Sequence, residues 1–171
     1  DEKTKKILKL NLNFDYIFSF RNYFILKKNI IEKAKFAAIN FHPGTPKYRG
    51  IGCINYALYN NEKNYGSTAH LINEKIDNGL IIDVKNFKIT KKMNLDDCLK
   101  KTHEIMYKQA MQIFKKLNKL KGEKELKTLI KKNKNIKWNK KIKNRKKLDL
   151  FYKINLNHSK SKIEKKLKAT T

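Results

Sequence analysis

Arginine is nearly absent from this strongly basic chain. Of its 42 lysine and arginine residues only Arg21, Arg49 and Arg145 are arginine, against 15 acidic residues and a formal net charge of +27. Nucleic-acid binders favour arginine for its bidentate fork on phosphates and bases. The excess therefore reads as the default surface of a Lys/Asn/Ile-rich composition. Attraction of an anionic partner (a nucleotide, a polyglutamate tail or RNA) stays open, because such a field assists it in any case. Cysteine is also scarce. Cys53 and Cys98 stand far apart with no histidine-cysteine ligand spacing near either, so neither a zinc site nor a disulfide framework is expected, no metal is called for, and a reducing, cytoplasmic setting fits. No apolar stretch approaches the roughly 20 residues of a membrane span, no signal-peptide pattern opens the sequence, and there is no internal repeat.

What remains is ample for a core. A chain of 171 residues accommodates one domain plus an appended segment, and 40% apolar with 11% aromatic content argues against wholesale disorder. "NFDYIFSF" (13–20) reads as a strand, Arg21-Asn22-Tyr23 as a loop, "ILKKNIIEKAK" as a helix carrying Ile25, Leu26, Ile30 and Ile31, and "FAAIN" as a second strand. Strand, helix, strand implies a parallel pair, and ligands of such sheets sit outside the carboxyl ends of the strands. Ile54, Ala57 and Leu58 share a helical face. "YGSTAHLI" and "GLIIDVKNFKI" read as strands around the turn "NEKIDNG". From Asn94 to about Leu120 runs one long helix with Leu95, Cys98, Leu99, His103, Met106, Ala110, Ile113 and Leu117 near one stripe, and Asn94 with Asp97 at its cap. Beyond Gly122 lysine and asparagine take over, and Leu148, Phe151, Ile154, Ile163 and Leu167 predict short docking helices.

Both prolines of the chain, Pro43 and Pro46, lie in "INFHPGTPKYRG" (39–50). Asn40 and His42, two apart at a strand exit, point to one side while Phe41 points to the other. Asp77, in the loop between two predicted strands, can approach them. A carboxamide to hold an oxyanion, an imidazole to move a proton and a carboxylate to orient the imidazole suit acyl transfer. An amine acceptor would supply the nucleophile, so no serine or cysteine is needed. On spacing alone, Asn-x-His also reads as a turn cap beside a hydrogen-bonded histidine. His70 reads as a packed residue bordering the site, His103 as a core histidine and His158 as exposed.

The stretch from "INFHPGTPKYRG" through "GCINYALYNNEKNYGSTAHLINEKIDNGLII" resembles the core of the formyltransferases that use 10-formyltetrahydrofolate. The shared elements are Asn40, His42 and Pro43; Pro46; Tyr48, Arg49 and Gly50; Ala57 and Leu58; Gly66, Thr68 and His70; Ile76, Asp77 and Gly79. The resemblance covers about residues 13 to 120 and lies nearest the sugar N-formyltransferases. It implies an α/β fold, the carboxyl-terminal part of a doubly wound, mostly parallel (Rossmann-like) sheet with a long helix and a lysine-rich helical tail. Residues 1–120 would form a partial catalytic domain and 121–171 a C-terminal tail.

By the same resemblance Asn40 bonds the formyl oxygen, His42 is general base and acid, and Asp77 orients His42. The folate would lie against Phe20, Arg21, Lys75, Ile76 and Gly79. Tyr48 and Arg49 are candidates for contacting the acceptor, or else for holding their own turn, and Trp138 for building the acceptor side or pinning the tail. The co-substrate would be 10-formyltetrahydrofolate and the acceptor a small-molecule amine, first of all the amino group of a nucleotide-linked sugar. Formylation of methionyl-tRNA, hydrolysis of formyltetrahydrofolate and a catalytically silent fragment are the alternatives, and a homodimer follows by analogy. Two departures stand out. The loop from His42 to Pro46 is one residue shorter than the common His-Pro-Ser-Leu-Leu-Pro form, with Gly44 and Thr45 in place of serine and leucines, which reshapes the mouth of the acceptor pocket. The chain also starts at Asp1 and ends at "KATT"; both ends read as cut, leaving an expected open sheet edge.

Overall fold

The computed structural model describes residues 12–22, 24–119 and 121–171; readings that fall on residues 1–11, Tyr23 or Leu120 lie outside them. β1 (Phe14–Phe20) pairs in parallel with β2 (Ala34–His42). Between them the predicted helix shrinks to one turn, α1 (Lys28–Ile31). Only Ile30 of that turn is buried and no side chain caps it, while Ile25 is 70% exposed; a turn without capping or a wide apolar face does not extend.

After β2 come the two-residue β3 (Arg49–Gly50) and α2 (Cys53–Tyr59), then β4 (Asn64–Leu71) and β5 (Ile81–Lys88). The sheet order is β1-β2-β4-β5. The α/β class and the helical tail are as expected. Within this sheet β1–β2 is the parallel pairing, and β2–β4 and β4–β5 are antiparallel. The short loop 72–80 joins β4 to β5 directly, whereas a parallel partner would need a crossover of a dozen or more residues.

α3 (Leu95–Leu117) starts at the expected cap: Asn94 Oδ1 accepts from the Asp97 N–H at 2.8 Å, and Asp97 Oδ2 accepts from the Asn94 N–H at 3.2 Å. Its buried stripe includes two polar residues that apolar periodicity passes over, Thr102 and Gln109. Both are satisfied: Thr102 donates to the Cys98 carbonyl, and Gln109 accepts from Ser67 and donates to Asp83. His103, read as a core residue, is only half-buried, and His158 is half-buried rather than exposed. α4 (Gly122–Asn133), α5 (Arg145–Tyr152) and α6 (Lys160–Lys168) follow, with β6 (Ile142–Lys143) pairing in parallel with β3. No helix among the described residues is long and apolar enough to cross a membrane.

Two apolar clusters hold these elements. One gathers Ile39, Phe41, Ala69 and Ile82 with Met106, Ile113, Leu117, Leu126 and Leu129. The other gathers Tyr48, Cys53, Ile54, Ala57 and Tyr65 with Leu148 and Ala169 of the tail. Ile39 and Phe41 of β2 thus enter a core, and strand alternation turns Asn40 and His42 to the opposite face.

Candidate active site

Strand register assembles the first half of the site. Asn40 stands opposite His70 in the β2–β4 ladder, and His42 opposite Thr68. Side chains so paired are in contact range, and Asn40 Nδ2 lies 3.1 Å from His70 Nε2. The Leu71 carbonyl, 2.7 Å from His70 Nδ1, can only accept a hydrogen bond, so that nitrogen carries the N–H. In neutral His70, Nε2 is then an acceptor and takes one of the two N–H bonds of the Asn40 amide; in the imidazolium the same nitrogen carries a proton and is a donor toward the Asp77 carboxylate instead.

The loop 72–80 supplies the second half. Asp77 sits in the left-handed region at φ 42°, which a short polar side chain tolerates, and its carboxylate is turned inward. Asp77 Oδ2 is 3.3 Å from His42 Nδ1, and Oδ1 is 3.5 Å from His70 Nε2. The Gly50 N–H donates to Oδ2 at 2.8 Å. Burial would raise the Asp77 pKa, but His70, His42 and the Gly50 N–H outweigh it and bring it down to about 2. The loop aspartate is an anion that two imidazoles share.

His42 is 3% exposed. Burial pushes its pKa below the ordinary histidine value, and His70 and Arg49 add to this; Asp77 and the Tyr48 carbonyl pull the other way. Its Nε2 lies 2.7 Å from the Tyr48 carbonyl and 3.7 Å from Cys53 Sγ. Gly44 covers the same nitrogen so closely that a Cβ there would stand 2.4 Å from it. The Gly-Thr replacement noted in the sequence therefore lets the turn close over the imidazole. Thr68 Oγ1 donates to the Gly44 carbonyl and Tyr65 OH to that of Pro43, pinning the turn from β4. The Cys53 thiol is buried, and that burial pushes its pKa up, which keeps it a protonated donor to the Tyr48 and Gly50 carbonyls.

Asn40, His42 and Asp77 are thus brought together, with His70 as a fourth member. The remaining candidates are placed differently. Phe20 packs on Phe41, ring centroids 6.0 Å apart, on the face away from Asn40 and His42, and Arg21 is exposed beside it at φ 49°. Lys75 and Ile76 are exposed on the Asp77 loop, where Asn73, Glu74, Lys75 and Asn78 line a shallow cleft of ≈ 330 Å³. Gly79 is buried, and its carbonyl accepts from Trp138 Nε1 at 2.8 Å. The indole stands edge-on to both histidines, 5.8 Å from His42 and 5.1 Å from His70 between centroids. Tyr48 is buried with its hydroxyl between Glu62 and Asn60. Arg49 is buried too, its guanidinium spent on protein oxygens. His70, Gly50 and Tyr48 stand in the shared motifs, but the bond of His70 to Asn40 and the use of the Gly50 N–H and the Tyr48 carbonyl are revealed only by β2–β4 register and the turn geometry. Among the described residues no group of histidine, cysteine and acidic side chains is arranged to hold a metal ion.

The family model described as formyl transferase matches residues 3–114. The bifunctional polymyxin resistance protein ArnA of Wigglesworthia glossinidia brevipalpis is 40% identical over 79 residues, 46% of this chain and 12% of that protein. A methionyl-tRNA formyltransferase of Thermodesulfovibrio yellowstonii is 32% identical over 120 residues, 70% of this chain. The chain spans only 38% of that second relative's length. Among solved structures, the N-formyltransferase from Helicobacter canadensis in complex with folinic acid and dTDP-3-aminofucose superposes with a TM-score of 0.62 at 25% identity, covering 89% of this chain and 53% of that one.

Proposed function

The chain belongs to the formyl transferase family, and from that premise we propose that its site transfers the formyl group of 10-formyltetrahydrofolate to the amino group of a nucleotide-linked amino sugar. The observation that carries the reading is the buried carboxylate of Asp77 facing His42 Nδ1, with Asn40 on the same face of the sheet. The Asn40 amide has one N–H on His70 and a second for the formyl oxygen, whose negative charge grows as the amine attacks. The amine nitrogen bonds to the formyl carbon, the bond from that carbon to the folate N10 breaks, and the amine's proton passes through His42 to N10. Asp77 supports the imidazolium during that passage. In this structure the Tyr48 carbonyl occupies the direction of His42 Nε2, so productive binding requires the 44–48 turn to yield that position; hydrogen bonds in free enzymes commonly realign on binding.

The sugar acceptor is favoured by the Helicobacter canadensis neighbour, whose structure holds a nucleotide-linked amino sugar and a folate derivative. The methionyl-tRNA formyltransferase relative, 32% identical over 70% of the chain, favours a tRNA acceptor as the second reading. The test is incubation of the full-length protein with 10-formyltetrahydrofolate and either nucleotide-linked amino sugars or methionyl-tRNA. A mass gain of one formyl group on a sugar nucleotide is expected; a gain on the methionyl amine selects the second reading. Formate released without any acceptor makes the protein a hydrolase, and no turnover of any kind refutes an active site.

A further inference from the structure

Arg49 is a charged side chain only 5% exposed, and no carboxylate lies within ion-pair distance of it among the described residues. Burying an unpaired cation is costly unless its donors are used. Its Nη2 donates to the Ile76 carbonyl at 2.7 Å and to Asn78 Oδ1 at 3.2 Å, and its Nη1 donates to the Asn139 carbonyl at 2.9 Å. Nε is buried without a partner. Two of the three bonds thus bracket Asp77 on either side, and the third reaches the segment that follows α4. That segment is tied back in turn: the Asn139 N–H donates to the Pro46 carbonyl at 2.9 Å, β6 pairs with β3, and Trp138 holds the Gly79 carbonyl at the far end of the Asp77 loop.

We infer that Arg49 is a positioning residue: its planar fork latches the loop carrying Asp77 to residues 138–143, so the carboxylate meets both histidines only while that segment is seated. The inference deepens the proposed formyl transfer and rests on that reading for its kinetic consequence. Its geometric consequence stands alone. The site then crosses the boundary between catalytic core and tail, and Asp77, whose left-handed backbone is one of three such non-glycine positions among the described residues, is held in place from outside its own loop.

The test compares Arg49→Lys, which keeps the charge and loses the fork, with Arg49→Gln, which loses both, in the full-length chain. Imidazole NMR follows the His42 titration, assigned by its disappearance in His42→Gln, beside kcat and KM for formyl transfer. The groups facing His42 are Asp77 from the loop, His70 from β4, Arg49 from β3, and the Cys53 thiol with the Tyr48 carbonyl from the turn and α2. Of these only Asp77 and the carbonyl favour its protonation.

Arg49→Lys is expected to lower kcat roughly 10- to 100-fold, as loss of outer contacts that orient site groups does, with KM nearly unchanged. It should also move the His42 titration to lower pH as Asp77 drifts away. If Arg49 acts through charge alone, Lys behaves as wild type and Gln raises the titration; that outcome overturns the latch. If Arg49→Lys does not fold, Trp138→Phe, which removes the indole N–H from Gly79 together with part of the ring surface beside the histidines, must produce the same downward shift, whereas the added solvation of His42 would by itself raise the titration; an unmoved or raised titration overturns the inference. A wild-type chain without formyl transfer refutes the functional reading while the titration still decides the latch.

Discussion

Gly50 and Asp77 are 27 positions apart in sequence and joined by a 2.8 Å bond from the glycine N–H to Oδ2. The bond exists because Gly50 adopts φ 88°, and a side chain is excluded there: a Cβ would lie 1.9 Å from the Lys143 carbonyl. The glycine of the Tyr-Arg-Gly turn thus turns its N–H to the carboxylate while accepting the tail strand at van der Waals range. A backbone donor of this kind costs no side-chain entropy on forming, and it leaves the other oxygen of Asp77 for His70.

His42→Ala removes the proton carrier and should lower kcat by roughly 100- to 10,000-fold. Asn40→Ala removes the oxyanion donor, with an expected loss of roughly 100- to 1,000-fold. Both should retain the wild-type circular dichroism spectrum, because neither side chain belongs to the apolar clusters. Normal turnover in either variant would sink the mechanism.

Asp77→Asn tests the carboxylate with its backbone left undisturbed, since asparagine tolerates the left-handed conformation as well. A kcat loss of about 100-fold is expected from weakened support of the imidazolium. The variant also reports on stability. The folded-state pKa of about 2 lies below the ordinary 3.8, so the unfolded chain binds more protons in between. Stability is fully present above about 3.8 and is lost as pH falls toward 2, on the order of 2 kcal/mol in all. His42, also lowered, adds a loss of the same sign that begins as pH drops through the ordinary histidine value of 6.5. Urea titrations from pH 7 to pH 2 should show the lowest window flattened in Asp77→Asn; an identical acid limb in both proteins would refute the sharing of Asp77 by the histidines.

Local pattern put Asn40 and His42 on one face and Asp77 in a loop able to approach them, because two-residue alternation fixes a face and a Gly-bearing loop between strands fixes a turn; the roles given to the three rest on the family resemblance, since spacing alone also allows a turn cap. His70 was visible as a residue near the site, but its bond to Asn40 depends on which residues β2 and β4 place opposite each other, and pairing register is a long-range property. α1 shows the opposite error: helical spacing at Ile25, Leu26, Ile30 and Ile31 was real, yet only Ile30 found a core to face. Arg49 was legible as a turn residue and not as a latch, since its partners at Ile76, Asn78 and Asn139 come from two distant segments. Thr102 and Gln109 were missed because a buried polar pair looks like a gap in an apolar stripe until its partners are known.

Gly44→Ala probes the shortened turn over His42. The added methyl would stand 2.4 Å from His42 Nε2 and 3.1 Å from the Tyr48 carbonyl, so the imidazole must swing away from Asp77 or the turn must lift. A misplacement of about 1 Å at a reacting group costs on the order of 100-fold in rate. The expected result is a kcat loss of that size with binding of the folate co-substrate, measured by fluorescence quenching of Trp138, close to wild type. Unchanged kcat would mean that the turn is already open in solution.

Leu148→Ala tests whether the tail is part of the folded unit. Leu148 is 4% exposed and packs in one cluster with Tyr48, Cys53, Ile54 and Ala57. Truncating a buried leucine costs roughly 2 to 5 kcal/mol. If residues 121–171 were an independent appendage, that loss would be confined to the tail and the Asp77 site would keep its properties. The cluster instead runs from the tail into the turn that covers His42, and Asn55 of α2 donates to the Ala169 carbonyl at 2.7 Å beside it. A single cooperative denaturation transition, shifted to lower urea with unchanged slope, is therefore expected. Two separated transitions, with formyl transfer intact after the first, would show that the site stands without its tail.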